Sequence, residues 1–361
     1  MDSNKRMRVL FICSAKADHY YPRNTQVLEA LRKNFTVIQV SSSRSTYLAR
    51  ISHVLLGFLK AALTQKFDFI YTGFLAQPLA VFARIFSAKP IILDAFVSVY
   101  DVLCLDRKDF QAYSLIGKLS FWLDKISFSF ARAIITDTDT SADFFSLIFN
   151  IRRDKFHTLY MGGEEEIFYT RQTKQIPGLF TIFFHGTYWP LHGIEYIIRA
   201  AKLLEDVEGL RFILLGRGKE KAKMINLSEG LGLRNISFLD WVSYEHLAEE
   251  IAKADICLGG HFSRHDKAAR VISGKTYAYL AMGKPVIVSD NPATREVFTH
   301  LENVYMCSLG DEKSLAESIV ILKDNVELSK AIAANGLVLF REKFSHLSSA
   351  KNISGIINHV L

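Results

Sequence analysis

The chain has 361 residues, 49% hydrophobic and 22% charged, a balance that excludes an intrinsically disordered or fibrous protein. A single core rarely grows beyond about 250–300 residues, so this length predicts two domains. The net charge of +7 is uneven, because residues 1–163 carry 21 Lys and Arg against 13 Asp and Glu, whereas residues 164–361 carry 23 against 24. Without RNA-binding or zinc-finger signatures, the basic part favours an anionic membrane surface first and a phosphorylated acceptor second. Nucleic acid ranks last, and we expect no nucleic-acid partner.

Cysteine spacing and hydropathy bear on the compartment. The four cysteines lie far apart and form no C-x-x-C pair, which predicts neither a zinc site nor a disulfide framework and fits a reducing cytoplasm. The first apolar run, residues 9–13, is too short for a signal peptide, and no run of about 20 apolar residues occurs. We therefore expect a cytoplasmic protein, either soluble or peripheral on the inner face of the plasma membrane.

Short apolar runs alternate with helical patterns through the first half of the chain. The runs typical of buried strands are residues 7–13, 35–40, 67–71, 91–95 and 133–136. This alternation predicts a parallel sheet with helical crossovers. The loop after the first run lacks the sequence G-x-G-x-x-G, so a dinucleotide site is not expected.

Two segments of this half are basic, aromatic and amphipathic. Residues 53–66 have a wide apolar face beside two lysines, and residues 107–132 interleave aromatic side chains with lysines. Such helices lie in a membrane interface or pack on a sheet as core helices, and both alternatives stay open here.

A Gly pair, an acidic run and a Pro interrupt the pattern at residues 160–177, which indicates a linker. Strand-like runs then restart at residues 181–185, 211–215, 236–239, 256–258 and 286–288. We predict a first domain at residues 1–163, a linker at 164–178 and a second doubly wound domain at 179–346. Residues 347–361 form a final apolar-periodic segment.

The most informative stretch joins the strand at 256–258 to a basic loop and a helix that begins at Gly274. The helix ends at the Gly-Lys-Pro of residues 283–285, and the next strand follows. Free N–H groups and the positive dipole end at the helix start, with the neighbouring cations, predict a binding site for a phosphate-like anion.

Residues 275–287, with Glu296 downstream, resemble the donor-site signature of retaining GT-B glycosyltransferases of family 4. The resemblance implies an α/β GT-B fold, two Rossmann-like doubly wound domains with an interdomain cleft and a C-terminal helix that crosses back to the first domain. The two glutamates that hold the nucleotide sugar in that family are replaced here by Arg270 and Ala278. A similar subgroup keeps an Arg-Val-Ile sequence, so only Ala278 departs from that subgroup.

The resemblance also implies which residues bind the donor. The loop after the strand at 181–185 is similar to the family's diphosphate clamp, with Thr187 and His192 at its cationic positions, and Arg217 is a candidate to compensate. The expected donor and diphosphate residues are Gly186, Thr187, His192, Gly193, Arg217, Arg270, Gly274, Lys275 and Thr276. Trp241 and Val242 are expected beside the base, although core packing is an alternative for Trp241.

Acceptor and catalytic candidates lie in the first domain. Asp94 and Asp101 follow the strand at 91–95, and ligands of open α/β sheets bind outside the carboxyl ends of strands, so both are candidates to orient the acceptor hydroxyl. Capping and turn roles are the alternative. The loop after the first strand supplies the weaker acceptor-side candidates Ser14, Lys16, Asp18 and His19.

We therefore predict a metal-independent hexosyltransferase that moves a sugar from a nucleotide-sugar co-substrate, with retention, to a lipid-linked or polysaccharide acceptor. No cofactor is expected, and the protein is expected to be a monomer or homodimer. Two alternatives stay open. A GT-B sugar-nucleotide epimerase would use Asp94, Asp101 and His185 as acid and base, whereas Arg270 and Ala278 are compatible with a non-catalytic sugar-nucleotide-binding subunit.

Overall fold

The computed structural model describes residues 6–16, 21–173 and 176–361. The chain divides into two compact units, one formed by Met1–Gly162 with His346–Leu361 and the other by Gly163–Ser345. Each unit contains a parallel sheet with helices, so the predicted pair of doubly wound α/β domains is confirmed.

The first unit is built on a parallel sheet with the strand order β2-β1-β3-β4-β5-β6. Its strands are β1 (Arg8–Lys16), β2 (Thr36–Ser42), β3 (Phe69–Thr72), β4 (Ile91–Asp94), β5 (Ala133–Thr136) and β6 (Phe156–Thr158). Its helices are α1 (Pro22–Asn34), α2 (Tyr47–Thr64), α3 (Gln77–Phe86), α4 (Leu115–Phe130) and α5 (Asp139–Phe149). Strands such as β3 and β4 are buried along their whole length, since helices cover both faces of a parallel sheet.

The second unit repeats the plan with the strand order β12-β11-β10-β7-β8-β9. Its strands are β7 (Phe180–Thr187), β8 (Leu210–Arg217), β9 (Ile236–Leu239), β10 (Ile256–Leu258), β11 (Val286–Asp290) and β12 (Tyr305–Ser308). Its helices are α6 (Ile194–Leu203), α7 (Lys221–Gly230), α8 (Tyr244–Ala252), α9 (Gly274–Ala281), α10 (Pro292–Arg295), α11 (Glu312–Asp324) and α12 (Val326–Leu339).

The last helix, α13 (His346–Val360), packs within the first unit. Its buried residues Ile353 and Ile357 share an apolar cluster with Val27 and Leu31 of α1. Gln26 strengthens this contact, because its side-chain amide donates a hydrogen bond of 2.9 Å to Ser349. Residues 346–361 therefore complete the layer that covers one face of the first sheet.

The amphipathic segments of the first unit have both a packed and an exposed face. In α4, Phe128 is fully buried in the core beneath the sheet, whereas Leu115, Leu119 and Trp122 on the outer face are more than half exposed. Helix α4 thus packs into the core on one face and exposes apolar side chains to solvent on the other.

A buried ion pair ties α1 to the sheet of the first unit. The Arg23 Nε donates to Asp94 Oδ2 at 3.0 Å, with both side chains almost fully buried. Arg23 Nη1 also donates to the carbonyl of Leu159 at 2.6 Å. Removing the cation would leave a buried carboxylate without its charge partner, which is far more destabilising than losing an exposed pair.

We therefore expect Arg23→Met to lower the free energy of unfolding by about 3–5 kcal/mol, measured by urea denaturation. Arg32→Met, on the exposed side of the same helix, should change it by less than about 0.5 kcal/mol. Equal effects of the two substitutions would contradict the structural role given to this ion pair.

Candidate functional site

The strand order of the second sheet indicates where a ligand would bind. β7 lies between β10 on one side and β8 on the other, so the chain reverses its direction of winding at β7 and β10. In open α/β sheets, ligands bind outside the carboxyl ends of the strands at such a switch point. The loops that follow β7 and β10 and the start of α9 all lie at this edge.

The two loops contact each other tightly. The backbone N–H of Phe262, after β10, donates to the carbonyl of His192, after β7, at 3.1 Å. Gly193 has φ of +66°, and a Cβ atom there would lie 2.3 Å from the Ser263 nitrogen. Only glycine fits this backbone and this approach, so Gly193 fixes the loop against its neighbour.

Helix α9 begins at this edge with exposed backbone. Gly274 is exposed, while Ser273 before it is buried. The side chain of Ser273, at the N-cap position of α9, makes no capping hydrogen bond to the first turn. The N–H of Thr276 donates to the carbonyl of Ser273 at 3.0 Å, so an anion could reach α9 at the exposed Gly274, where the positive end of the helix dipole lies.

The ammonium group of Lys275 is buried beside this helix start. Lys275 Nζ donates to Ser273 Oγ at 2.7 Å and lies 4.8 Å from the centre of the Phe184 ring. Burial lowers the pKa of Lys275 to about 7, because removing water disfavours the charged form. The described residues give it no carboxylate partner, so a bound anion is the group that would stabilise its charge.

Two stacked imidazoles lie near this ammonium. The rings of His192 and His261 are nearly parallel, with centroids 5.4 Å apart. Burial lowers the pKa of each well below its usual range, and the charge of Lys275 lowers it further, so both rings are neutral at pH 7. Among the described residues, neither Nδ1 atom has a hydrogen-bond partner although both are buried. Buried polar atoms are nearly always satisfied, so these two indicate a place for a ligand or for water.

A third histidine joins β7 to α9. The Tyr279 hydroxyl accepts a 3.1 Å hydrogen bond from the backbone N–H of His185 and lies 2.8 Å from its Nδ1. Burial, followed by the charge of Lys275, lowers the pKa of His185 to about 3. This neutral, fixed imidazole positions the end of β7.

An aromatic and cationic pair lies at the end of β8. The Arg217 guanidinium is 5.8 Å from the centre of the Trp241 ring, whose centroid is 6.4 Å from that of His185. Trp241 and Val242 are half-buried, so the indole is not a fully enclosed core residue. A base stacked on such an indole would have Arg217 beside it.

The structure brings most of the expected donor residues to one edge of the second sheet. A Cβ at Gly186 would lie 3.0 Å from the His192 ring, and Thr187 is exposed at the end of β7. Thr276 is fully buried and its hydroxyl donates to the carbonyl of Gly259 at 3.4 Å. Arg270 is half-buried after a short helical turn at Asp266–Ala269.

The expected acceptor-side and catalytic residues lie in the first unit. The Asp94 carboxylate accepts hydrogen bonds from Arg23, from the Tyr71 hydroxyl at 3.1 Å and from the backbone N–H of Phe96. Asp101 is buried at the start of a π-helical turn, Asp101–Asp106.

The Ser14 hydroxyl donates to the carbonyl of Leu75 at 2.7 Å, and Lys16 ends β1. Asp18 and His19 lie outside the described residues. Among the side chains that are described, no group of three or more His, Cys, Asp and Glu could hold a metal ion. No helix in the described ranges is both long enough and apolar enough to cross a membrane.

Sequence reasoning missed three contributors to this site. His185 was expected only as an acid or base of an epimerase, and His261 and Tyr279 had no expected binding role. Each could have been suspected from its position, since His185 ends a strand-like run and His261 follows one by three residues. Tyr279 lies four residues after Lys275 on the same helix.

A family model described as glycosyl transferases group 1 matches residues 180–325, which include the whole edge described above. Residues 180–325 are therefore similar to that family. Among curated relatives, the lipopolysaccharide core biosynthesis glycosyltransferase LpsD of Rhizobium meliloti is 28% identical over 170 residues, 46% of each chain. The O-antigen chain mannosyltransferase RfbU of Salmonella typhimurium is 24% identical over 260 residues, 72% of this chain and 68% of that protein. The chain spans about half or less of the length of the first relatives it matches.

Solved structures of glycosyltransferases match nearly the whole chain. HepE of Anabaena, in complex with UDP, has a TM-score of 0.75 at 15% identity and is covered over 100% of its length and 98% of this chain. Sucrose-phosphate synthase from Thermosynechococcus elongatus has a TM-score of 0.78 at 13% identity, with 98% of this chain and 99% of that chain covered. At these identities the likeness establishes the fold alone, and the expected GT-B fold is confirmed.

The lowered pKa of Lys275 predicts a stability cost that depends on pH. Between pH 7 and about 10.4, the ordinary pKa of a lysine, the unfolded chain binds more protons at Lys275 than the folded chain does. The free-energy cost of burying the ammonium is therefore complete below pH 7 and shrinks as pH rises. Lys275→Met should therefore raise the free energy of unfolding by roughly 2–4 kcal/mol at pH 7. Above pH 7 this gain should narrow by about 1.4 kcal/mol per pH unit.

The measurement is urea denaturation of both proteins from pH 6 to pH 9. Lys223→Met, whose side chain is 72% exposed in the same unit, is the matched control and should show no such trend. If Lys275→Met did not raise the free energy of unfolding, or raised it equally at every pH, the burial of an ammonium without a charge partner would be contradicted.

Proposed function

We propose that this protein is a glycosyltransferase that moves a hexosyl group from a nucleotide sugar to a lipid-linked or glycan acceptor, with retention of anomeric configuration. The observation that carries the proposal is the buried ammonium of Lys275 without a carboxylate, beside the open start of α9 and two buried imidazole Nδ1 atoms. A diphosphate fits this combination, because it brings two negative groups and several hydrogen-bond acceptors.

The electrostatics favour the transition state of sugar transfer. As the bond between the sugar carbon and the diphosphate oxygen breaks, negative charge grows on the leaving diphosphate and positive charge on the sugar ring. A fixed ammonium and a helix dipole stabilise that growing charge without reorganising, and losing one such group typically costs about 100-fold to 1,000-fold in rate. Lys275 and α9 would then supply the charge that a divalent cation supplies in other transferases.

Retention requires the acceptor oxygen to attack the face from which the diphosphate leaves. We propose that a phosphate oxygen of the leaving group takes the acceptor hydroxyl proton, while the new bond from the sugar carbon to the acceptor oxygen forms on the same face. Protein acid–base groups are then not needed at this step. The proposal is supported by the low pKa of His185, which leaves that imidazole unable to hold a proton at neutral pH.

The same observations also bear on the two alternatives, an epimerase and a non-catalytic subunit. An epimerase needs an acid and a base, but Asp94 is engaged by Arg23 and Tyr71, and the pKa of His185 is lowered to about 3. The non-catalytic subunit has one specific observation in its favour, since Ala278 offers no carboxylate to a ribose. We retain it as the second candidate.

The partners that we propose follow the names of the similar proteins. HepE was solved with UDP-glucose, and LpsD and RfbU are named for lipopolysaccharide core and O-antigen synthesis. We therefore propose UDP-glucose as the first donor to test and a lipid-linked saccharide as the acceptor. An anionic membrane surface on the cytoplasmic side would bring this acceptor to the basic first unit.

The experiment is incubation with a panel of radiolabelled nucleotide sugars and lipid-linked saccharide acceptors. We expect label on the acceptor, and NMR of the product should show the anomeric configuration of the donor. Lys275→Met should lower kcat/KM by about 100-fold or more, whereas Lys223→Met should leave it within about twofold.

Other outcomes would replace the proposal. A new free nucleotide sugar would indicate an epimerase, and binding without turnover would indicate the non-catalytic subunit. Full activity of Lys275→Met would contradict the role of the buried ammonium, and a product of inverted configuration would contradict the retaining mechanism alone.

A further inference from the structure

A cationic cavity lies in the first unit, at the opposite edge of its sheet from the acceptor-side candidates. It has a volume of about 490 Å³ and opens where β4, β5 and β6 begin. Ile91 starts β4, Arg132 precedes β5 and Lys155 precedes β6, whereas Ser14 and Asp94 lie at the carboxyl ends of their strands. This volume is within the range of small-molecule sites, which is about 300–1,000 Å³.

The lining of this cavity is strongly basic. Among the described residues that line it, Asp154 is the one carboxylate, and it already contacts Arg152 at 3.0 Å. The cationic and imidazole side chains that line it are Arg84, Arg132, Arg152, Lys155, His157 and His359. We propose that this cavity is a binding site for a phosphate group, separate from the nucleotide-sugar site, and that the group belongs to a lipid head group or to a soluble phosphorylated compound.

A purely structural explanation is that these cations only cap the C-terminal ends of helices. Arg132 Nε donates to Val360 at the end of α13, and Lys155 Nζ donates to Ser129 near the end of α4. Arg84 Nη1 reaches Ala88, just beyond α3, at 3.4 Å. Helix carbonyl ends do attract cations in this way.

Counting charges shows that capping leaves a surplus. The C-terminal ends of α3, α4 and α13 each contribute about half a negative charge, and Asp154 contributes one more. Four full positive charges face these groups, so the lining side chains keep a positive balance over Asp154. The pKa of Lys155 is lowered mainly by burial and then by the charges of Arg152 and Arg132, while Asp154 raises it. A phosphate brings between one and two negative charges, which is the sign that this lining favours.

Hydrogen-bond donors also remain after capping. The described residues give the Arg132 side chain one hydrogen bond, through Nε, although a guanidinium has five N–H donors. Arg152 contacts only Asp154 among them, and its side chain is 80% exposed at the mouth of the cavity. Two arginines with spare donors are suited to the oxygens of one phosphate.

An apolar surface adjoins the cavity and provides a reason to test lipids. Phe130 is the last residue of α4, lines the cavity and is 40% exposed. Leu119, Trp122 and Ile126 lie on the exposed face of the same helix, and Lys125 is 5.4 Å from the Trp122 ring. A head group in the cavity would place this face of α4 near the acyl chains of the same lipid layer.

The test compares a cavity variant with a charge-matched control. The cavity variant combines Arg132→Gln with Arg152→Gln, and the control combines Arg32→Gln with Lys66→Gln, two exposed cations elsewhere in the first unit. Calorimetry measures binding of inorganic phosphate and of glycerol 3-phosphate, with every protein also carrying Lys275→Met so that the diphosphate site does not contribute, and cosedimentation measures binding to phosphatidylglycerol and phosphatidylcholine vesicles. Arg152→Gln alone is a second variant that should fold normally because the side chain is exposed.

We expect the cavity variant to lose at least tenfold in affinity for a phosphate-bearing probe, the single variant to lose severalfold, and the control to bind like the wild type. Binding of glycerol 3-phosphate in solution would identify a soluble ligand. Binding to phosphatidylglycerol vesicles alone would identify a lipid head group.

Equal binding by the cavity variant and the control, or no binding of any probe to the wild type, would overturn the proposal. Lys275→Met separates the two sites, since it should leave the phosphate affinity of this cavity unchanged. The outcome is therefore independent of whether the protein transfers sugars.

Discussion

The second unit depends on one unfavourable interaction, the burial of the Lys275 ammonium without an opposite charge. Its immediate contacts are a serine hydroxyl and an aromatic face, neither of which offsets the loss of water. Burial, and then the charge of the ammonium, lowers the pKa of His185, His192 and His261, so all three imidazoles beside it are neutral. A site of this kind is incomplete until an anion arrives, which is the physical basis for assigning it to a diphosphate.

The first unit also contains a buried cation, Arg23, but this one is paired with an opposite charge. Arg23 lies between α1 and the sheet and contacts the Asp94 carboxylate and the Leu159 carbonyl, so its charge has an opposite partner within the fold itself. The contrast separates a structural cation from one that is available to a ligand. It also explains how the chain tolerates Lys275, because a site built for charge stabilisation commonly lowers the stability of the domain that carries it.

Much of the fold could be predicted from the sequence because a buried parallel strand is a short apolar run, and this is visible in β3, β4 and β10. The anion site at Gly274 and Lys275 was also predictable, since a basic loop before a helix start is a local pattern. Contacts between distant residues were not. The pairing of Arg23 with Asp94, 71 residues apart, leaves no local signal, and the stacking of His192 on His261 depends on the close approach at Gly193.

Proton uptake on donor binding tests the central claim most directly. Calorimetry in buffers of different ionisation enthalpy would measure it for the nucleotide sugar that supports transfer. Lys275 is mostly neutral at pH 8 and mostly protonated at pH 6, so a bound diphosphate should draw in about one proton at pH 8 and far less at pH 6. Uptake that is absent at pH 8, or that is larger at pH 6 as protonation of the histidines would require, would contradict the account.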